Sequence, residues 1–127
     1  MTQKQETGKA GEQEAVDYLV KKGHRIIERN YRKKWGELDI VAKAPDRTLV
    51  FVEVKALRNG LTPMSSSVSM PEENLTHAKL HKLQRTASLY ANSHPDLVDD
   101  NRGWRIDLVA IEWRGEEKPE IRHYENI

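Results

Sequence analysis

The order of apolar and polar positions along the chain predicts an α/β domain. In two stretches the apolar residues recur at helical spacing, and elsewhere they form short continuous or alternating runs. The predicted elements are a helix over 8–22, an edge strand over 24–32, two strands within 36–58, a helix over 75–92, a strand over 103–113 and a short edge strand over 120–124. This order favours a mixed central sheet flanked by helices.

The stretch 36–58 contains the most apolar run of the chain, placed after a tight polar turn. It nevertheless carries Asp39 in its first strand and Glu53 and Lys55 in its second. If the hairpin closes at the centre of its turn, residue 39 lies opposite residue 53, and two facing carboxylates repel each other. A divalent cation, helped by the ammonium group of Lys55, is the simplest compensation for that repulsion.

A third carboxylate belongs to the first predicted helix. Glu12 shares a helical face with the apolar residues three, four and seven positions later, so we expect it to face the core. Three converging carboxylates offer only oxygen ligands, which favour Mg²⁺ or Mn²⁺ over zinc. The pattern leaves an alternative open, in which Lys55 pairs with Asp39 or Glu53 at a sheet edge. In that case Glu12 is only a charge near the helix N-terminus.

The composition is that of one folded domain. At 127 residues the chain can bury a core, and its formal net charge of +1 does not by itself indicate a nucleic-acid binder. Cysteine is absent, which excludes disulfides, zinc–thiolate sites and a cysteine nucleophile. We recognise no signal peptide and no apolar run of membrane-spanning length, so a cytoplasmic protein without a membrane partner is expected. The expected organisation is a flexible tail over 1–7 and a single domain over 8–127, with a mobile Ser-rich loop over 58–73 and a C-terminal turn and edge strand over 114–127.

Basic residues cluster locally despite the balanced overall charge. Arg29, Arg32, Lys33 and Lys34 end the first predicted strand, and Trp35 follows them. Beside a phosphodiester cleft such a cluster would contact backbone phosphates, although it is also typical of a solvated loop. Trp35 could stack on a base or pack under the hairpin, and the sequence leaves both open.

Four short motifs resemble those of a known family, in the same order. They are Gly8-x-x-Gly11-Glu12-x-x-Ala15, Gly36-Glu37-Leu38-Asp39, Phe51-Val52-Glu53-Val54-Lys55 and Arg105-x-Asp107. This set resembles the YraN family of small bacterial proteins, which is similar to archaeal Holliday-junction resolvases. That family is part of the restriction-endonuclease-like superfamily of PD-(D/E)xK nucleases. The Glu-x-Lys pair alone says little, because Glu116-x-Lys118 repeats it in a polar turn.

The resemblance implies an αβββαβ core and a Mg²⁺- or Mn²⁺-dependent nuclease acting on DNA, including branched DNA. Asp39 and Glu53 would be metal ligands together with the carbonyl of Val54, and Glu12 would complete the metal shell directly or through water. Lys55 would orient the attacking water or stabilise charge on the scissile phosphate. The alternative is a nucleic-acid-binding module that keeps this fold and has no significant turnover.

Other implications of the resemblance concern the substrate. Lys79 matches a basic helix residue near the family's cleft, and the similarity to junction resolvases suggests a homodimer. Two departures from the family pattern affect substrate handling. Leu38 stands where the superfamily motif has proline, and the arginine that often follows the strand lysine by two residues is displaced to Arg58.

Overall fold

The computed structural model describes residues 2–58 and 75–127 as an α/β structure. Its elements are α1 (Gln3–Lys21), β1 (Arg25–Lys33), β2 (Gly36–Lys43), β3 (Leu49–Arg58), α2 (His77–Ser93), β4 (Trp104–Trp113) and β5 (Glu120–Tyr124), with a 3₁₀ turn at Pro95–Leu97. The predicted α/β class and order of elements are confirmed, and the arrangement is consistent with a restriction-endonuclease-like core. Within these residues no helix is both long and apolar enough to cross a membrane.

The five strands of the described residues form one mixed sheet in the order β1-β2-β3-β4-β5. Neighbouring strands are antiparallel except β3 and β4, which are parallel from Leu49–Trp104 to Arg58–Trp113. A parallel pair requires a long crossover, and α2 lies in that connection. The predicted edge positions of β1 and β5 are confirmed.

Each face of the sheet packs against one helix. The core cluster on the α1 side includes Val50 and Val52, and the cluster on the α2 side includes Phe51 and Tyr90. Alternate residues of β3 therefore enter opposite clusters, because side chains alternate along a strand. This explains why the first half of β3 is buried on both faces, as its continuous apolar run predicts.

The sheet divides at one end of the β2–β3 hairpin. The two strands pair as far as Ile40 and Val52; beyond that point β2 continues beside β1, while β3 continues beside β4. The next residues in register, Asp39 and Glu53, lie where the two halves of the sheet separate. We call this place the fork. The register puts residue 39 opposite residue 53, as the sequence predicts.

Helix α1 begins five residues before the predicted start at Gly8. Thr2 caps it, because its hydroxyl accepts a hydrogen bond from the Gln5 backbone N–H at 3.1 Å and its own N–H donates to the Gln5 side chain. This capping box extends the helix over residues 3–7, where a tail was expected. Glu12 is therefore well inside the helix, and its interpretation as a charge of the first turn is wrong. The predicted loop over 58–73, apart from its first residue, lies outside the described residues.

Candidate functional site

The carboxyl groups of Asp39 and Glu53 meet at the fork. They are close enough for each to shift the pKa of the other, and Asp39 Oδ2 accepts a hydrogen bond from the Val54 backbone N–H at 2.9 Å. Burial is the main reason that the pKa of Asp39 is raised. Burial together with the Asp39 charge raises the pKa of Glu53 to about 8. The pair therefore holds a proton near neutral pH, which is the electrostatic signature of two carboxyls that repel each other.

Two lysines act on this pair from different elements. The charges of Lys55 on β3 and Lys79 on α2 lower the pKa of Glu53, but less than burial raises it. Within the described residues no ion pair joins Lys55 to Asp39 or Glu53, which argues against the sheet-edge ion pair. The pair is thus left short of positive charge, and a bound cation could supply it.

Glu12 lies near the pair but is bound by other groups. Its Oε1 accepts hydrogen bonds from Arg29 Nε and Asn30 Nδ2, each at 3.0 Å, and neither bond uses Oε2. The Glu12 charge also contributes to the raised pKa of Asp39. In the described part of the chain, no group of three or more Asp, Glu or His side chains is arranged to hold a metal ion. Two of the three predicted carboxylates are therefore in contact, and the third stands beside them.

Asn30 belongs to no motif of the sequence, yet it helps to fix the position of Glu12. Its backbone has a φ of 54°, a left-handed conformation that Asn tolerates better than most residues. An Asn at the end of a predicted edge strand is the only sequence signal for such a conformation.

A cleft of about 1240 Å³ lies in front of the pair, between the N-terminal half of α1 and the C-terminal end of β3. Asp39, Val54 and Lys55 line this cleft. Glu53 is not part of the lining, but it lies close to Asp39, which is. Glu12, Asp39, Val54 and Lys55 therefore border one space, and Glu53 lies next to it.

Two glycines of α1 shape this cleft in different ways. A Cβ at Gly11 would lie 2.5 Å from the Cβ of Ala56, so glycine lets the helix pack closely against β3. A Cβ at Gly8 would have no atom within 4 Å, and Gly8 lines the cleft. Gly11 thus serves helix packing, and Gly8 leaves the cleft wall open.

The wall of the cleft is predominantly basic. Its charged side chains are Lys4, Lys9, Arg29, Arg32, Lys55 and Arg58, with the acidic residues Glu12 and Asp39. Of the five residues predicted to contact phosphate, Arg29 and Arg32 are in this lining. Lys33 and Lys34 lie at the tip of the β1–β2 hairpin, and Lys79 lies on α2. The excess of cations around the cleft suits a polyanion.

The displaced arginine of the family pattern, Arg58, also reaches the cleft. Its Nε donates a hydrogen bond to the Thr7 hydroxyl at 3.3 Å, and its guanidinium lies 5.0 Å from the centre of a Trp113 ring. These contacts hold the positively charged Arg58 side chain between α1 and the end of β3. The departure from the pattern therefore keeps an arginine at the cleft.

A second acidic cluster, centred on Asp107 of β4, was not predicted. Asp107 is fully buried, and its carboxylate accepts hydrogen bonds from His123 at 2.8 Å, Arg105 at 2.9 Å and the Asn126 backbone N–H at 3.0 Å. Burial alone would raise the pKa of Asp107, but these hydrogen bonds lower it. His123 Nδ1 lies 3.1 Å from the Tyr18 hydroxyl oxygen of α1. The motif Arg105-x-Asp107 signals part of this cluster, but the contact with His123 depends on how β5 pairs.

Comparison with known proteins identifies the family. The uncharacterised protein family UPF0102 matches residues 11–111, which include all four candidate catalytic residues. A UPF0102 protein of Trichlorobacter lovleyi is 36% identical over 126 residues, covering 96% of this chain and 89% of its own length. UPF0102 proteins of Persephonella marina and Syntrophomonas wolfei are 42% and 43% identical over 106 residues, covering 82% and 84% of this chain and 81% and 84% of their own lengths. The resemblance found in the sequence is confirmed, and the chain belongs to UPF0102, the YraN family.

Proposed function

We propose that this protein is a Mg²⁺- or Mn²⁺-dependent nuclease that hydrolyses phosphodiester bonds in DNA, including branched DNA. The observation that carries the proposal is the partly buried Asp39–Glu53 pair at the edge of a basic cleft, where burial and the neighbouring charge raise the pKa of Glu53. A cation bound between two such carboxyls removes their repulsion, and the basic wall attracts a polyanion. A purely structural role does not account for the pair, because apolar residues would stabilise the same position at least as well.

The residues at the fork fit a hard divalent cation. Asp39 and Glu53 offer carboxylate oxygens side by side, and Val54 follows with a backbone carbonyl. Glu12 fits better as a ligand through water than as a direct one, because Arg29 and Asn30 engage its Oε1. Carboxylates, a carbonyl and water are the ligands that Mg²⁺ and Mn²⁺ prefer. When bound, the metal would activate a water for attack on phosphorus.

The other polar residues would bind and orient the substrate. Lys55, in the cleft beside Asp39, would orient the attacking water or stabilise the charge that develops on the phosphate. Lys79 would add positive charge from α2. Arg29 and Arg32 would contact backbone phosphates on the cleft wall, and such contacts position DNA without reading its sequence.

A metal titration combined with hydrolysis assays tests the proposal. At 100 times its dissociation constant, Mg²⁺ or Mn²⁺ should stabilise the folded protein by about 2.7 kcal/mol, seen as a rise in melting temperature. Asp39→Asn should abolish this stabilisation. The wild type should cut branched, flapped or single-stranded DNA. Lys55→Ala should keep the metal-dependent stabilisation and cut at least about 100-fold more slowly.

The second Glu-x-Lys pair of the chain provides the matched control. Lys118 lies exposed in the turn before β5, so Lys118→Ala should behave as the wild type in both assays. If the wild type cuts none of these DNA molecules while the metal stabilises it, the nuclease proposal fails. If the metal does not stabilise the protein at all, the proposed metal site fails as well.

A nucleic-acid-binding module without turnover is the second candidate. The hydrogen bonds from Arg29 and Asn30 to Glu12 favour it, because a third carboxylate held in this way cannot bind a metal through the same oxygen. In that case the wild type and Asp39→Asn should bind DNA equally well, and neither should cut it.

A further inference from the structure

Trp35 is the most exposed aromatic side chain in the described part of the chain. It is 44% exposed, so a large part of its surface reaches solvent. Leaving an indole in water forgoes the hydrophobic free energy that its burial would provide. An exposed aromatic residue among the basic residues of a hairpin is a candidate contact for a ligand.

The backbone of Trp35 is held firmly against α2. Lys34 and Trp35 form the two-residue turn of the β1–β2 hairpin, because Lys33 pairs with Gly36. The Thr86 hydroxyl oxygen lies 3.4 Å from the Trp35 carbonyl oxygen. A Cβ at Gly36 would overlap that same hydroxyl, so the turn fits tightly on the helix. The indole is therefore presented to solvent by a well-supported turn.

Basic residues precede this indole in the hairpin and face it from α2. The exposed cations of the hairpin are Lys33 and Lys34, together with Arg32, which is paired with Glu37 at 2.8 Å. On α2, the exposed Lys82 lies one turn before Thr86, which also bonds to the Lys82 carbonyl at 2.9 Å. Lys79 lies a further turn back, and its charge acts on Glu53. A band of cations therefore connects the carboxylate pair with the hairpin turn.

We propose that Trp35 stacks on an unpaired base of the nucleic acid bound at the fork, and so gives the site a preference for single-stranded segments. This inference rests on the proposed function and names the class of its substrate. Trp35 precedes Asp39 by four residues of extended chain, which is about 13 Å. That distance corresponds to at most about four nucleotides at the spacing of B-form DNA.

The preference follows from which base faces are accessible. In a duplex, neighbouring base pairs cover both faces of each base, so stacking on an indole requires unstacking first. An unpaired base offers a free face, and base–aromatic stacking is tolerant of sequence. The lysines around Trp35 would hold phosphates and would not distinguish single strands from duplexes by base contacts.

Binding without divalent metal tests this inference separately from hydrolysis. Trp35→Ala should weaken the binding of a short oligothymidylate about tenfold, and that of a duplex of equal length less than about twofold. Trp35→Phe should retain most of the single-strand affinity because it keeps an aromatic face. Trp104→Ala is the matched control, since Trp104 is 36% exposed but pairs with Leu49, at the end of β3 away from the fork. It should leave both affinities unchanged.

Several outcomes would overturn the inference. It fails if Trp35→Ala weakens single-strand and duplex binding equally, or weakens neither. It also fails if the substitution changes only the sedimentation of the free protein, because Trp35 would then contact a second copy of the chain. A melting curve checks folding, and Trp35→Phe decides the question if the alanine variant unfolds. If Trp35→Ala loses the preference for single strands but the wild type cuts no DNA, stacking is supported and only the nuclease proposal fails. If the wild type cuts DNA and Trp35→Ala keeps the preference, the nuclease proposal is supported and the stacking inference fails.

Discussion

Two acidic groups of this sheet, one fully buried and one partly buried, differ in how their charge is compensated. Asp107 on β4 is fully buried, and donors from His123, Arg105 and a backbone N–H lower its pKa against the effect of burial. At the fork, burial prevails and the pKa values of Asp39 and Glu53 are both raised. Among the residues that the structure describes, one backbone N–H donates to Asp39, and each carboxyl shifts the pKa of the other.

The difference indicates what each cluster is for. The Asp107 cluster joins β4, β5 and α1 with charges that the chain supplies itself, as a structural role requires. The fork has Lys55 and Lys79 close enough to act on Glu53 but pairs neither with it. Strongly shifted pKa values in a cleft are typical of functional sites. The incomplete compensation at the fork is therefore what we expect of a site that binds a cation.

The same substitution at the two aspartates should give opposite results, and this is the largest expected effect. Asp107→Asn removes the charge that pairs with Arg105 and a carboxylate oxygen that His123 contacts, and should lower the free energy of unfolding by about 3 kcal/mol. Asp39→Asn should be neutral or stabilising by up to about 1 kcal/mol without metal, because it removes the repulsion with Glu53 and keeps an acceptor for the Val54 N–H. Urea denaturation at neutral pH measures the change in the free energy of unfolding for both variants. A loss at Asp39 as large as that at Asp107 would mean that the fork is a structural ion cluster.

The pH dependence of stability should be the next largest effect, and it separates the clusters without removing either. Between pH 6.5 and about 8, folded Glu53 keeps a proton that the unfolded chain, with a glutamate pKa near 4.5, has released. The unfolded state then binds fewer protons, so the stability of the metal-free protein should fall as the pH rises. The slope should be at most about 1.4 kcal/mol per pH unit.

Two other groups with shifted pKa values, His24 and Asp107, should not add to this slope. Burial lowers the pKa of His24 below 6.5, so its contribution to stability is lost only as the pH falls below that value. Asp107, with a pKa below 3.8, contributes a constant amount throughout the window. Glu53→Gln should therefore flatten the curve of urea midpoint against pH. A flat wild-type curve would contradict a shared proton at the fork.

The sequence predicted the fork better than it predicted the Asp107 cluster, for a physical reason. Residues 39 and 53 are connected by one short hairpin, so local register alone determines that they face each other. The partner of Asp107 is His123, whose position depends on the pairing of an edge strand with β4. The start of α1 was missed because a capping box at Thr2 extends the helix through polar residues that show no apolar spacing. The engagement of Glu12 by Arg29 and Asn30 also depends on long-range packing of α1 on β1.

Glu12 provides the smallest test, because it is hydrogen-bonded like Asp107 but lies beside the fork. Its partner Arg29 is 37% exposed, and exposed ion pairs contribute little to stability. Glu12→Gln should therefore change the free energy of unfolding by less than about 1 kcal/mol, since glutamine can still accept the bonds from Arg29 and Asn30. If Glu12 acts on the metal through water, the same substitution should weaken Mg²⁺ or Mn²⁺ binding about tenfold, measured by the metal dependence of the melting temperature. Glu14→Gln on the same helix controls for net charge and should leave metal binding unchanged. Equal metal affinity in the wild type and both variants would place Glu12 with the structural ion pairs and restrict the metal site to Asp39 and Glu53.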